Sequence, residues 1–220
     1  MAGSALAQMA PQVAPKVMEA SAMAMPWLDM AATALFAVSG ALAAAQMRKT
    51  LVTFAFFAVA TGLGGGTLRD LLIGAPVFWM HRSVPIAICL VSAVVVWCMP
   101  RRIWPVQAME WFDGAGLAAY SVFGAAKALQ WGIPPLPAAM MGVVTACMGG
   151  IFRDMLAGVP SIVLRPELYV TAAAAAAVSH VGLLALGVER SLAMVVAFAI
   201  GLGLRGAAIA WQLGLPAYRR

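Results

Sequence analysis

The chain has 220 residues, of which 64% are hydrophobic and 10% charged, with a formal net charge of +6. Soluble domains carry roughly 25% charged residues, so there is too little polar surface here to coat a water-exposed fold. The basic residues lie scattered at the ends of apolar runs rather than along one stripe, which argues against nucleic acid as a partner and for the loops of a membrane protein.

Residues 1–26 contain Pro11, Pro15 and Pro26 with one Lys and one Glu, and lack the charged start and compact apolar block of a secretory signal. They read as a mobile or interfacial lead-in. Apolar spans follow at 27–45, 51–73, 85–100, 111–130, 136–157, 167–187 and 191–212. Each is close to the ~20 residues that cross the hydrocarbon, although the third is short. Breaks at Pro100-Arg101-Arg102, Pro134-Pro135 and Arg165-Pro166 end helices where proline removes a donor. No break is long enough for a second domain. The expected fold class is therefore an all-α integral membrane protein with seven transmembrane helices in a single membrane domain, 27–212, followed by a tail at 213–220.

Cys89, Cys98 and Cys147 lie inside apolar runs without metal-ligand spacing. No disulfide framework, metal site or cofactor is expected. No nucleophile–base constellation is visible and neither histidine has a metal-ligand neighbour, so the chain does not read as an enzyme. Arg48, Lys49, Arg101, Arg102, Arg165, Arg219 and Arg220 fall on one side of the spans, and Lys16, Arg82 and Arg190 on the other. The positive-inside rule then puts the N-terminus outside and the C-terminus in the cytoplasm.

An internal repeat organises the chain. Asp29 matches Asp113, Gly40 matches Gly124, Gln46 matches Gln130, Thr61 matches Thr145, and Arg69-Asp70 matches Arg153-Asp154, at one offset of 84 (113 − 29) that continues through Gly74/Gly158 and Pro76/Pro160. Agreement at Asp, Gln, Arg, Gly and Pro is costly in a membrane sequence and marks a duplication. Repeat one covers 27–100, repeat two covers 111–187, and 191–212 is an extra helix. Three spans per unit is an odd number, so the second unit crosses the bilayer in the opposite sense. Inverted repeats of this kind place their sites near the midplane, around an in-plane pseudo-two-fold axis.

The chemistry-bearing residues concentrate in the second helix of each unit. Thr61 begins Thr-Gly-Leu-Gly-Gly-Gly-Thr-Leu-Arg-Asp70, and Thr145 begins Thr-Ala-Cys-Met-Gly-Gly-Ile-Phe-Arg-Asp154. Gly64, Gly65, Gly66, Gly149 and Gly150 either let helices pack closely or interrupt them, freeing carbonyls that only a wet or protein-lined site tolerates. Arg69, Asp70, Arg153 and Asp154 each cost ~2.5–3.5 kcal/mol at a helix centre unless paired. They read as structural ion pairs, with pairing across the axis, Arg69 to Asp154 and Arg153 to Asp70, as one arrangement. At the interface the same pairs would cost little.

Lys127 breaks the symmetry, because Ala43 stands at the matching position. It either snorkels to the helix end or faces an aqueous pathway as a gating charge. Asp29 and Asp113 read as charges favoured by a helix N-terminus. Ser39, Ser121, Thr61 and Thr145 can line a polar path or bond their own helix carbonyls. His180 and Arg205 stand alone, Arg205 as a subunit contact or a headgroup-facing anchor.

The segments Gly64-Gly-Gly-Thr-Leu-Arg-Asp-Leu-Leu-Ile-Gly74 and Gly149-Gly-Ile-Phe-Arg-Asp-Met-Leu-Ala-Gly158, with Phe112-Asp-Gly-Ala-Gly-Leu-Ala-Ala-Tyr-Ser-Val-Phe-Gly124 between them, resemble the prokaryotic members of the trimeric intracellular cation (TRIC) channel family over nearly the whole chain. The resemblance implies a homotrimer in a bacterial or archaeal plasma (inner) membrane; membrane lipid is expected as a partner of any such chain. It also implies a pore for monovalent cations, potassium, in each protomer, lined by glycine-broken second and fifth helices. The same domain has been described as a glycine transporter, so the alternative is a secondary transporter for a small amino acid such as glycine. A positive element for the substrate carboxylate could then come from helix N-termini.

Overall fold

The computed structural model describes residues 15–216, with side chains from Trp27 onward. Seven α-helices run in order: α1 Pro15–Gln46, α2 Leu51–Leu72, α3 Ser83–Cys98, α4 Ala108–Gln130, α5 Pro135–Ala157, α6 Val170–Ala185 and α7 Arg190–Trp211. Single 3-10 turns lie at Arg101–Ile103, between α3 and α4, and at Ile162–Leu164, between α5 and α6. The helix bounds follow the apolar spans closely. The exception is α1, which begins at Pro15 and so takes in 15–26 of the expected lead-in. Residues 1–14 and 217–220 lie outside the described residues, with them Arg219, Arg220 and the rest of the lead-in and tail.

Trp27–Gln46, Leu51–Leu72, Pro135–Ala157 and Arg190–Trp211 are each long and apolar enough to cross a bilayer. Helices α3 and α6 are apolar but have only 16 residues each. Helix α4 has 23 residues and carries Glu110, Asp113 and Lys127. It can hold these charges because it is the central helix, packed against α1, α5, α6 and α7. Its surroundings are protein rather than lipid.

The packing obeys the repeat. Within the first unit α1 packs on α2 and α3 and α2 on α3; within the second α4 packs on α5 and α6 and α5 on α6. The units meet through two self-related pairs, α1 against α4 and α2 against α5. The pseudo-two-fold axis therefore passes between these pairs, as an inverted repeat requires. Exposed Val52, Phe56, Val91, Met155, Val178 and Val195 mark the outer faces, which a bilayer covers without penalty. Helix α7 lies outside the repeat, against α4 and α6. Its N-cap is Glu189, whose carboxylate accepts from the Ser191 and Leu192 amides at 2.9 Å. Those backbone bonds hold the Glu189 carboxyl below its usual range.

Helices α2 and α5 run unbroken through their glycines. The expectation of glycine-broken second and fifth helices is corrected, and the geometry gives the reason. A Cβ on Gly65 would run into the Thr145 carbonyl oxygen, and one on Gly149 would stand 2.9 Å from the Thr61 carbonyl oxygen. These glycines let two intact backbones touch at the axis, as small residues do in membrane helix crossings.

Candidate functional site

Two buried charged clusters flank the crossing, related by the offset of 84. In the first, Asp70 Oδ1 accepts from Arg69 Nε at 2.8 Å and from Lys127 Nζ at 2.7 Å, while Oδ2 accepts from the Phe78 amide at 3.0 Å. Arg69 Nη1 lies 3.7 Å from Asp29 Oδ1. In the second, Asp154 Oδ1 accepts from Arg153 Nε at 2.9 Å and Oδ2 from the Ile162 amide at 2.7 Å. Arg153 Nη1 donates to Asp113 Oδ1 and, at 2.7 Å, to Ser39 Oγ. Each Asp thus pairs with the arginine before it and holds the loop eight residues on. The loop turns back at Gly74 and Gly158, both with positive φ.

Neither of the cross-axis pairs, Arg69 to Asp154 or Arg153 to Asp70, forms; each pair closes within its own repeat. An arginine one residue before an aspartate can fold back along the helix surface, so a partner in the other repeat is not needed. The second partner is Asp29 or Asp113. Asp29 sits far inside α1, which starts at Pro15, and both acids are buried. Their reading as helix N-terminal charges is replaced by a role as arginine counter-ions.

The clusters differ at two positions. Arg153 meets Ser39, whereas Arg69 lies over the Phe123 ring, 4.8 Å from its centroid; Phe123 is the repeat counterpart of Ser39 (39 + 84). Lys127 stands where the other repeat has Ala43. The first cluster therefore balances Arg69 and Lys127 against Asp29 and Asp70. The second sets Arg153 against Asp113 and Asp154, leaving one formal negative charge. Lys127 has only 17% of its side chain exposed and is held by Asp70, so it points to the cluster rather than snorkelling away from it.

A cavity opens beside each cluster. One, of about 370 Å³, is lined by Asp29, Phe78, His81, Phe123 and Lys127 among others. The other, of about 140 Å³, is lined by Ala43, Glu110, Arg153, Asp154 and Arg165 among others. They are repeat counterparts: Phe78, His81 and Lys127 answer Ile162, Arg165 and Ala43. Between them lies a buried column in which Phe36 stacks on Tyr120, centroids 5.4 Å apart. The Tyr120 hydroxyl is 2.7 Å from Thr33 Oγ1 and donates to the Gly62 carbonyl at 3.2 Å. Phe36 and Tyr120 are themselves a repeat pair (36 + 84). The two aromatic rings pack against each other across the pseudo-axis.

The remaining candidates are distributed around this column. Thr61 and Thr145 turn their hydroxyls toward Gly40 and Gly124 of the neighbouring helix, and Thr145 Oγ1 donates to the Met141 carbonyl at 2.6 Å. Ser121 donates to the Leu117 carbonyl at 2.7 Å, while Ser39 reaches the second cluster. Gly64 faces Phe152 and borders an apolar surface groove; Gly66 faces Phe78, and Gly150 faces Tyr169 and Asp113. Arg205 is buried, donates to Glu167 Oε2 at 2.9 Å and lies 5.2 Å from the Tyr169 ring centroid. It is an internal lock rather than an anchor facing headgroups. His180 is buried in α6. Phe36, Phe123 and Tyr120 carry no charge and escape a search for ionisable residues; the offset of 84 that pairs Phe36 with Tyr120 was the available signal.

Seven helices, two inverted three-helix units and a charged cluster on either side of the pseudo-axis define an integral membrane protein of the inverted-repeat class. The family model described as Glycine transporter matches residues 26–101 and 110–185. The chain is 37% identical over 196 residues to a UPF0126 membrane protein of Vibrio cholerae, covering 87% of this chain and 81% of that one. It is 35% identical over 197 residues to the UPF0126 inner membrane protein YadS of Escherichia coli K12, covering 87% and 95%. Its fold matches the crystal structure of the TRIC trimeric intracellular cation channel orthologue from Rhodobacter sphaeroides with a TM-score of 0.80 and 38% identity, over 86% of this chain and 99% of that one. A second structure, described in terms of conductance through TRIC cation channels, matches with a TM-score of 0.77 and 26% identity, over 89% and 97%. The chain belongs to the prokaryotic TRIC channel family.

Proposed function

We propose that the chain is a cation channel, selective for monovalent ions and in particular potassium, with one pathway in each protomer of a homotrimer. The pathway runs between the two cavities along the pseudo-axis, past the Lys127–Asp70 contact, through the Phe36–Tyr120 stack and out beside Arg153 and Asp154. The observation that carries the reading is this alignment of two carboxylate-bearing cavities on either side of one aromatic closure. Carboxylates attract cations at a low-dielectric constriction, and aromatic rings exclude water from the closed state. The described conformation is the closed one. The N-terminus lies outside and the C-terminus in the cytoplasm of a bacterial or archaeal plasma membrane, in keeping with the Lys and Arg distribution.

Electrical recording from purified protein in planar lipid bilayers tests this. Unitary potassium current steps, each of many ions, are the expected result. A carrier for a small amino acid such as glycine is the second reading, favoured by two cavities separated by a closed middle in an inverted repeat. Substrate-dependent stoichiometric flux without current steps selects that reading and rejects the channel.

A further inference from the structure

A histidine stands in the mouth of the larger of the two pathway cavities. His81 lies exposed on the loop between α2 and α3 and lines the space of about 370 Å³ together with Asp29 of α1, Lys127 and Gln130 of α4, and its own neighbour Arg82. The loop is held in place, since the Phe78 amide donates to Asp70 Oδ2 at 3.0 Å and the Met80 amide to the Val77 carbonyl at 3.1 Å. His81 is therefore a fixed feature of the entrance.

The duplication supplies an independent observation. The counterpart of His81 is Arg165 (81 + 84), which lines the smaller cavity with a permanent charge. Arg165 has Glu167 3.8 Å away, whereas the position matching Glu167 in the first repeat is Ser83. Among the described residues no acid pairs with His81. The charged groups facing it are Asp29, Arg82 and Lys127, with Asp70 and Arg69 behind Lys127 and Arg190 of α7 beyond Gln130. Arg82 and Lys127 against Asp29 leave this lining with one net positive charge while His81 is neutral, and with two once it is protonated. In the smaller cavity Arg153 and Arg165 against Glu110 and Asp154 sum to zero, and no histidine lines it. Histidine is the side chain whose charge changes between about pH 5 and 8, so near neutrality protons alter the charge of one mouth and not of the other.

We infer, on the channel reading and with the α2–α3 loop on the outer face, that His81 is a proton-binding site that throttles cation entry from outside. Protonated, it adds a second net positive charge to the mouth and repels an approaching cation. Neutral, it leaves the Asp29 carboxylate more effective in drawing cations in. No rearrangement of helices is needed, because the charge itself lowers the cation concentration at the entrance.

The test is single-channel recording of the purified protein in bilayers of phosphatidylcholine, which carries no net charge, with each chamber taken in turn from about pH 8 to about pH 5. Acid on one face of each channel is expected to lower the unitary potassium current roughly two- to threefold, the effect of a unit charge ~6 Å from the path at the dielectric of water, with or without screening by ~0.1 M salt. Acid on the opposite face is expected to leave the current unchanged. The drop shrinks in ~1 M salt, where the screening length is only ~3 Å. His81→Gln is expected to bring the ratio of currents at the two pH values to about one. His81→Arg is expected to do the same while conducting roughly two- to threefold less than His81→Gln at both. Because the side chain is exposed, neither variant disturbs the packed interior. A pH response that survives in His81→Gln, an equal response from both faces, or a unitary current indifferent to acid on either face overturns the assignment and leaves the channel reading standing. No unitary current at either pH rejects both.

Discussion

Lys127 Nζ donates to Asp70 Oδ1 at 2.7 Å from the position at which the other repeat carries Ala43. The contact neutralises a cluster whose counterpart keeps one negative charge. Lys127→Ala makes the first cluster resemble the second, leaving Arg69 to balance Asp29 and Asp70. A unit charge a few ångströms from a narrow, poorly hydrated path weighs heavily on a passing cation. Cation conductance or open probability in planar bilayers is therefore expected to rise by at least roughly tenfold, the effect of a unit charge even ~12 Å from the path at an effective dielectric near 20. Lys127→Arg keeps the charge and is expected to stay near wild type. Equal changes in both variants would mean that side-chain shape, not charge, matters here.

Asp70 serves three donors at once: Arg69, Lys127 and the Phe78 amide. Asp70→Asn leaves two buried or part-buried cations underpaired and weakens the loop anchor. Losing one partner of a buried ion pair costs about 3–5 kcal/mol, and the yield of folded protein should fall sharply in detergent thermal-shift and gel-filtration measurements. Exchanging charges across the axis, with Arg69→Asp and Asp154→Arg, is expected not to rescue folding, because both pairs close within their own repeats. Normal stability of Asp70→Asn with altered ion selectivity would move Asp70 from the scaffold into the pathway.

How far the sequence reaches is visible in these same residues. The duplication, the seven helices and the Arg-Asp pairs are readable because identical polar residues at a constant spacing are improbable in apolar segments. Pairing within each repeat is not readable. Neighbours on a helix point about 100° apart, and only the side-chain path of Arg69 shows that it folds back to Asp70 and reaches Asp29. The misreading of Asp29 has a similar origin, since the apolar run begins at Trp27 while the helix begins at Pro15. Runs of glycine are equally ambiguous in sequence: flexibility and close approach call for the same residue, and only the Thr145 and Thr61 carbonyls across the axis decide between them.

That close approach predicts a sharp contrast between glycines. Gly65→Ala places a methyl group on the Thr145 carbonyl oxygen, a backbone atom that moves only if α2 and α5 separate. Overpacking of this kind costs about 1–3 kcal/mol, and the thermal midpoint should drop accordingly. Gly182→Ala adds a methyl group in α6 with nothing within 4 Å, so it is expected to leave the midpoint unchanged or raise it through better helix propensity. A Gly65→Ala protein as stable as wild type would show that the crossing is looser than the described contact.

Tyr120 combines two functions that substitutions can separate. Its ring stacks on Phe36 at the axis, and its hydroxyl ties Thr33 to the Gly62 carbonyl. Tyr120→Phe retains the ring and removes the hydroxyl, at a cost of about 1 kcal/mol for the lost hydrogen bonding. The closed state should still exclude water, with basal current near wild type and a modest drop in thermal midpoint. Tyr120→Ala removes the ring and leaves a gap facing Phe36, between the two cavities. Large-to-small changes in a packed interior cost about 3–5 kcal/mol for an aromatic ring, so Phe36→Leu, which also breaks the stack while filling more of the space, is a gentler companion. Both Tyr120→Ala and Phe36→Leu are expected to raise basal potassium flux in proteoliposomes, because an aromatic closure that gates by dewetting fails once water can bridge it. Flux unchanged in folded Phe36→Leu and Tyr120→Ala protein would place the closure of the pathway at another level of the membrane.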